Sequence, residues 1–298
     1  MDKLPLVSIG IPVYNEERFL AKTIESAISQ TYPNLEIIIS DNCSTDESFE
    51  IAQKYANKDK RIVLFRQPEN MGSLKNFYTV LKRAKGMYFC WLGAHDIFLK
   101  NYIQIAIEIF AQQPEVVMVY PISRLIDVED RLLQIEGSDI HTAGLPLEDR
   151  LCKVVSNLNS CVAISGVFKS VIAKKLPFKK VIGSDHLMLF ATAFWGGICE
   201  VQQEGIYRRV VRQESHKEVL KRYEKMSVYS PIKYISNPYS LLVYYHYTFL
   251  LKQMLFSHPR LCIRIIKKLE KIFQCRFGVE TREVKRIFWN NLFLCKIL

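Results

Sequence analysis

Val7-Ser8-Ile9-Gly10-Ile11-Pro12-Val13-Tyr14-Asn15-Glu16 is the stretch from which the fold can be read. Its first seven residues have the composition of a buried strand, and polar groups begin where that strand runs out. Leu20, Ile24, Ala27 and Ile28 then recur at helical spacing. This helix should end near Tyr32-Pro33-Asn34, because a residue before proline is pushed out of the helical region. Leu35-Glu36-Ile37-Ile38-Ile39-Ser40 is the second strand. Ser44 and Glu47 next form a Ser-x-x-Glu capping box, opening a helix with Phe49, Ala52 and Ala56 on its apolar face. Ile62-Val63-Leu64-Phe65 is a third strand, and Leu74, Phe77, Tyr78 and Leu81 mark a third helix, closed by Gly86 as a left-handed cap. Met87-Tyr88-Phe89-Cys90-Trp91-Leu92 is the fourth strand. Strands alternating with helices at this spacing imply parallel pairing with right-handed crossovers, so ligands should bind beyond the carboxyl ends of the strands.

The composition fits that reading. The chain has 298 residues, 49% hydrophobic and 24% charged, enough for a sizeable core. No apolar run reaches the roughly 18 residues of a membrane span, and Met1-Asp2-Lys3-Leu4-Pro5 does not resemble a secretory signal, so a cytoplasmic location is expected. The eight cysteines include no Cys-x-x-Cys pair, which suggests neither a zinc site nor a disulfide framework. The net charge of +11 is unevenly placed: residues 1–207 carry 22 Lys and Arg against 24 Asp and Glu, and residues 208–298 carry 19 against 6. Basicity confined to the tail argues against a nucleic-acid partner for the α/β part.

The strand ends hold Pro12, Tyr14 and Glu16, then Asp41, Asn42 and Ser44, then Gly93-Ala94-His95-Asp96. Asp41 can accept hydrogen bonds from a base or ribose, or can simply cap a helix together with Ser44. Asp96 beside His95 offers oxygen and imidazole to a divalent cation. There is no Gly-x-x-x-x-Gly-Lys loop and no Gly-x-Gly-x-x-Gly after the first strand, so kinase-like and dinucleotide readings lose their main support.

Taken with Asn70-Met71-Gly72, Lys75-Asn76, Ala84-Lys85-Gly86 and Gly183-Ser184-Asp185-His186-Leu187, these segments closely resemble the family 2 glycosyltransferases over about residues 5–215. The resemblance implies a GT-A fold, Rossmann-like with a mainly parallel sheet flanked by helices, over residues 1–216, followed by a basic, mostly helical region over 217–298. It also implies inverting transfer of a sugar from a nucleotide-diphosphate donor to a glycan or lipid-linked glycan acceptor in cell-surface polysaccharide synthesis. Pro12, Tyr14, Glu16, Asp41 and Asn42 would line the donor pocket, with Asp41 accepting from the nucleobase imide and Lys75 offsetting diphosphate charge. Asp185 matches the general base that takes the acceptor hydroxyl proton.

Asp96 matches the last acid of the family's metal motif, with Mn²⁺ or Mg²⁺ as the implied cofactor. Where the family often reads Leu-Asp-x-Asp-Asp, this chain reads Leu92-Gly93-Ala94-His95-Asp96, so His95 is a replacement ligand, a ribose contact or a structural histidine. Arg209, Arg212 and His216 fall in a segment that in such enzymes often closes over the donor, where arginines bind diphosphate and His216 can add a metal ligand. Asn157, Asn159, Ser160 and Ser165 are sugar-contacting residue types on the acceptor side.

In the tail, Arg264, Lys267, Lys268 and Lys271 alternate with Ile265, Ile266, Leu269 and Ile272. This pattern suits either a helix lying on anionic lipid or one packed on the rest of the protein. Two other functions stand beside glycosyl transfer. A sugar nucleotidyltransferase would need a Gly-rich basic loop that Val13-Tyr14-Asn15-Glu16 lacks. A non-catalytic nucleotide-sugar or glycan-binding protein would account for the eroded acidic motif but not for Asp185.

Overall fold

The computed structural model describes residues 4–211 and 239–279, together with Arg282 and Val284. The chain forms two compact units. The first comprises Met1–Gly144, Asn159–Leu176 and Trp195–Arg212, and the second Leu145–Leu158, Pro177–Phe194 and Gln213–Leu298.

The first unit is built on one sheet of β1 (Val7–Val13), β2 (Leu35–Asp41), β3 (Ile62–Arg66), β4 (Tyr88–Trp91), β5 (Ile97–Phe98), β6 (Val116–Ile126), β7 (Leu132–Glu136), β8 (Val167–Lys169) and β9 (Gly197–Arg209). The order is β3-β2-β1-β4-β8-β6-β9-β5, with β7 paired to β6. The first four strands run parallel, as the alternation of periods requires, because α1 (Leu20–Ile28), α2 (Ser48–Ala56) and α3 (Ser73–Arg83) carry the chain back each time. Strand β8 is antiparallel to both β4 and β6, and β6 pairs parallel with β9, so the parallel half continues into a mixed one. All seven residues of β1 are buried, and α1 covers the sheet with Leu20, Ile24 and Ala27, which is why this strand lies inside the sheet. Helix α4 (Tyr102–Gln112) follows β5, and the four-residue α6 (Ser170–Ala173) follows β8.

The second unit contains α5 (Leu147–Asn157), α7 (Ser184–Trp195 at its start), α8 (Ser240–Met254) and α9 (Pro259–Phe277). Helix α7 was expected to carry an apolar stripe at Leu187, Phe190, Ala191 and Phe194, but every residue from His186 to Ala193 is buried.

Three local expectations are corrected. Helix α1 ends at Ile28, a turn before Tyr32-Pro33, with Ser29 N–H closing on Glu25 O. The Ser44–Glu47 capping box does not form. Ser44 Oγ instead accepts from Asn15 N–H, and the Asp46 carboxylate takes Ser48 N–H and Glu17 N–H, so tertiary partners outcompete the local cap. Gly86 is no left-handed cap either. It is needed because a Cβ there would stand 2.6 Å from Ser8 Oγ and 2.7 Å from Leu6 O.

Candidate functional site

The carboxyl ends of β1, β2 and β4 bring the sequence-derived residues of the first unit together. Asn76 on α3 binds the ends of β1 and β2, donating to Val13 O and Ser40 O while accepting from Ser40 Oγ. At this edge Asn15 and Cys43 both take positive φ, 55° and 62°, so the chain turns sharply as each strand ends. Asn15 then closes the turn, with its N–H on Ser44 Oγ and its Oδ1 accepting from Thr45 N–H.

Asp41 is fully buried at the end of β2. Its carboxylate accepts from Ser44 N–H at 3.2 Å and faces Arg66 Nε at 3.2 Å. Arg66 was not anticipated from the sequence, although the parallel register that sets Asp41 opposite it would have shown the pair. Asn42 is also buried, and its side chain spans the loop after β3, donating to Asn70 Oδ1 and accepting from Met71 N–H. Asn42 therefore ties the end of β2 to the loop after β3. Pro12 is buried within β1, Tyr14 is 44% exposed, and Lys75 is exposed in the first turn of α3.

Across from these, His95 Nδ1 lies 2.9 Å from Glu16 Oε1. Burial pulls the imidazole pKa down, but the Glu16 hydrogen bond and the charges of Asp96 and Glu16 outweigh burial and the opposing Arg208 cation, leaving it raised.

Asp96 is buried, and its Oδ1 accepts from Arg209 N–H at 2.9 Å. Burial pushes its carboxyl above the usual range, against the pull of His95, Arg208 and the Arg209 N–H. Among the described residues no three His, Cys, Asp or Glu side chains converge as a cation site. One Asp96 oxygen is committed to the Arg209 N–H and Glu16 is bonded to His95, so the described residues do not hold a preassembled divalent-metal site.

The two arginines that end β9 divide the work. Arg209 was expected to reach the donor, but it is 5% exposed and its guanidinium is used up inside the protein. It donates to His95 O and Asp127 O, pairs with Asp130 and lies 4.5 Å over the Phe19 ring. Arg208 takes the opposite face. Antiparallel pairing of Ile97 with Tyr207 carries Arg208 to the register position facing Asp96, and Glu136 Oε2 holds its NH1 at 2.8 Å. Glu136 is itself fixed by Ser160 Oγ at 2.6 Å, so the sugar-type residue Ser160 serves this chain. Arg208, unlike Arg209, remains partly exposed. Arg212 and His216 lie outside the described residues.

Asp185 belongs to the second unit, exposed in the first turn of α7 just after Gly183, whose φ of 74° sets the turn. A carboxylate is favoured there by the helix dipole. The next residue, His186, points the other way: it is buried, with Nδ1 3.3 Å from His246 Nε2 on α8.

A family model described as Glycosyl transferase family 2 matches residues 8–176, more than half of the chain. An uncharacterized glycosyltransferase of Haemophilus influenzae is 34% identical over 132 residues, covering 44% of this chain and 52% of the relative. The chondroitin synthase of Escherichia coli is 31% identical over 134 residues, 45% of this chain and 19% of that protein. The chain thus spans about half the length, or less, of these curated relatives.

Among solved structures, S. aureus TarS 1-349 in complex with UDP-GlcNAc superposes with a TM-score of 0.63 at 19% identity, over 90% of this chain and 72% of that one. The mannosyltransferase PcManGT of Pyrobaculum calidifontis, in complex with GDP-Man and Mn2+, gives 0.55 at 14% identity, over 98% of this chain and 81% of that one. The fold is accordingly the mixed α/β arrangement of the GT-A glycosyltransferases. The chain belongs to glycosyl transferase family 2.

Proposed function

We propose that this protein is an inverting glycosyltransferase that moves a sugar from a nucleotide-diphosphate donor to a hydroxyl of a growing cell-surface glycan. The observation that carries this reading is the convergence of Asp41, the Glu16–His95 pair and Asp96 with Arg208 at the ends of β1, β2 and β4 in a family 2 chain. Similarity to a chondroitin synthase favours polysaccharide synthesis as the setting.

The roles follow from charge and hydrogen bonding. Asp41, paired with Arg66, accepts from the imide N–H of the base, and Tyr14 offers an exposed ring beside it. Lys75 and Arg208 meet the diphosphate, whose charge grows as the glycosidic bond breaks, so fixed cations there stabilise the transition state more than the ground state. Asp185 takes the acceptor hydroxyl proton as that oxygen bonds to the anomeric carbon, and the electron pair of the breaking bond leaves with the diphosphate. No step is assigned to a metal, because the described residues do not assemble a site for one.

The test is Asp185→Asn. It keeps size and removes the proton acceptor, so transfer should fall by about 10² to 10⁴ while nucleotide binding stays unchanged. Wild-type transfer by this variant would remove Asp185 from the mechanism. Nucleotide-sugar binding with no transfer by the wild-type protein, to any of a panel of acceptors, would favour a binding protein.

A further inference from the structure

Phe256 is 98% exposed. It sits in a stretch, residues 255–260, in which every residue is exposed, between the end of α8 and the first turn of α9. Leu255 beside it is 38% exposed. The nearly wholly exposed aromatic ring, with Leu255 beside it, gives this helical corner an apolar tip.

The helix after that corner sorts its residues by face. Cys262, Ile265, Leu269 and Phe273 are buried, and Arg276 donates to Val155 O and, at 2.7 Å, to Leu158 O near the end of α5. The opposite face, at spacings of three and four, presents Arg260, Ile263, Arg264, Lys267 and Lys271, all exposed, with Ile263 at 49%. Lys268 and Arg264 pair with Glu148 on α5, so Lys268 serves packing within the unit. Residues 239–279 hold seven Lys or Arg against a single acid, Glu270. No helix among the described residues is long and apolar enough to cross a membrane. An apolar tip flanked by cations, on an element that cannot span a bilayer, has the chemistry of interfacial attachment.

We propose that the corner between α8 and α9 is a membrane contact in which Leu255 and Phe256 enter the acyl region of an anionic bilayer. Lys252, Arg260, Lys267 and Lys271 meet lipid phosphates around them. The charge of the surface selects the occupant: an anionic bilayer is attracted by the exposed cations of that face, whereas a second copy of the same cationic face is repelled. The inference does not depend on sugar transfer, and its test uses no substrate.

The test is sedimentation of the full chain with phosphatidylcholine vesicles, with and without phosphatidylglycerol. Binding is expected only with phosphatidylglycerol and should weaken as salt rises. Phe256→Ser should reduce it by about tenfold or more, with an unchanged circular dichroism spectrum because the ring contributes nothing to the core. The double variant Lys267→Gln with Lys271→Gln should bind more weakly and with a smaller salt dependence. Absence of binding to phosphatidylglycerol vesicles would overturn the proposal. So would full binding by Phe256→Ser, since attraction would then be purely electrostatic. A dimer formed without lipid and lost in Phe256→Ser would assign the tip to a second copy and reject the bilayer.

Discussion

Gly93 and Asp96 share one small space: a Cβ on Gly93 would stand 2.5 Å from Asp96 Oδ2. The loop after β4 folds so that Asp96 N–H donates to Gly93 O and the carboxylate turns back over the glycine. Here the missing side chain is the condition for Asp96 lying where Arg209 N–H can bind it.

Gly93→Ala therefore separates function from folding. The clash is with the end of a side chain that can move, so the unfolding free energy should change by only about 1 kcal/mol, while displacement of Asp96 should cut transfer about tenfold or more. Denaturant unfolding and a transfer assay on the same preparation check this. Unchanged transfer would show that the position of Asp96 is not critical.

Arg208 and Arg209 should behave oppositely despite being neighbours. Arg209→Ala removes a buried guanidinium and leaves the carbonyls of His95 and Asp127 without their donor, while Asp130 keeps Lys22, a loss on the order of 3 kcal/mol in stability. Arg208→Ala should leave stability within about 1 kcal/mol, since its side chain is partly exposed, and should weaken nucleotide-diphosphate binding about tenfold. Thermal unfolding and isothermal titration with a panel of nucleoside diphosphates distinguish the two.

Acid should destabilise the second unit through the His186–His246 pair. Burial lowers the His246 pKa to about 4 from its ordinary 6.5, partly offset by the bond to Leu242 O, and burial with the neighbouring His246 and Arg276 charges lowers that of His186 as well. A depressed histidine binds its proton more readily when unfolded. The stability it leaves intact above about pH 6.5 is then lost as pH falls toward 4, by up to about 3 kcal/mol for His246. His246→Phe, filling the same space among Phe190 and Phe273, should flatten the pH dependence of urea unfolding in that window. An unchanged slope would show that other groups govern acid unfolding.

Metal binding should depend on the donor. With no three-ligand cluster among the described residues, Mn²⁺ alone should bind with a dissociation constant of about 1 mM or weaker, and more tightly only when a nucleotide diphosphate supplies further oxygens. Titration calorimetry of Mn²⁺ with and without nucleotide checks this. Tight binding to the protein alone would mean that the ligand set is complete without the donor.

By itself the amino-acid sequence determined the alternation of strands and helices, the parallel first half of the sheet and the positions at strand ends where chemistry collects. These rest on hydrophobic period and chain direction, which are local properties. Asp41, His95, Asp96 and the helix-start position of Asp185 were readable for that reason. The tertiary structure alone decided how those residues are used. Whether Ser44 caps α2 or receives Asn15, whether Gly86 turns the chain or lets Ser8 approach, and which of Arg208 and Arg209 faces solvent all depend on partners from distant parts of the chain. Arg209 N–H meets Asp96 across 113 residues, and His186 meets His246 across 60. Such pairings follow from strand register and helix packing, so a polar side chain's local preference yields to whichever distant partner the assembled core brings within hydrogen-bond reach.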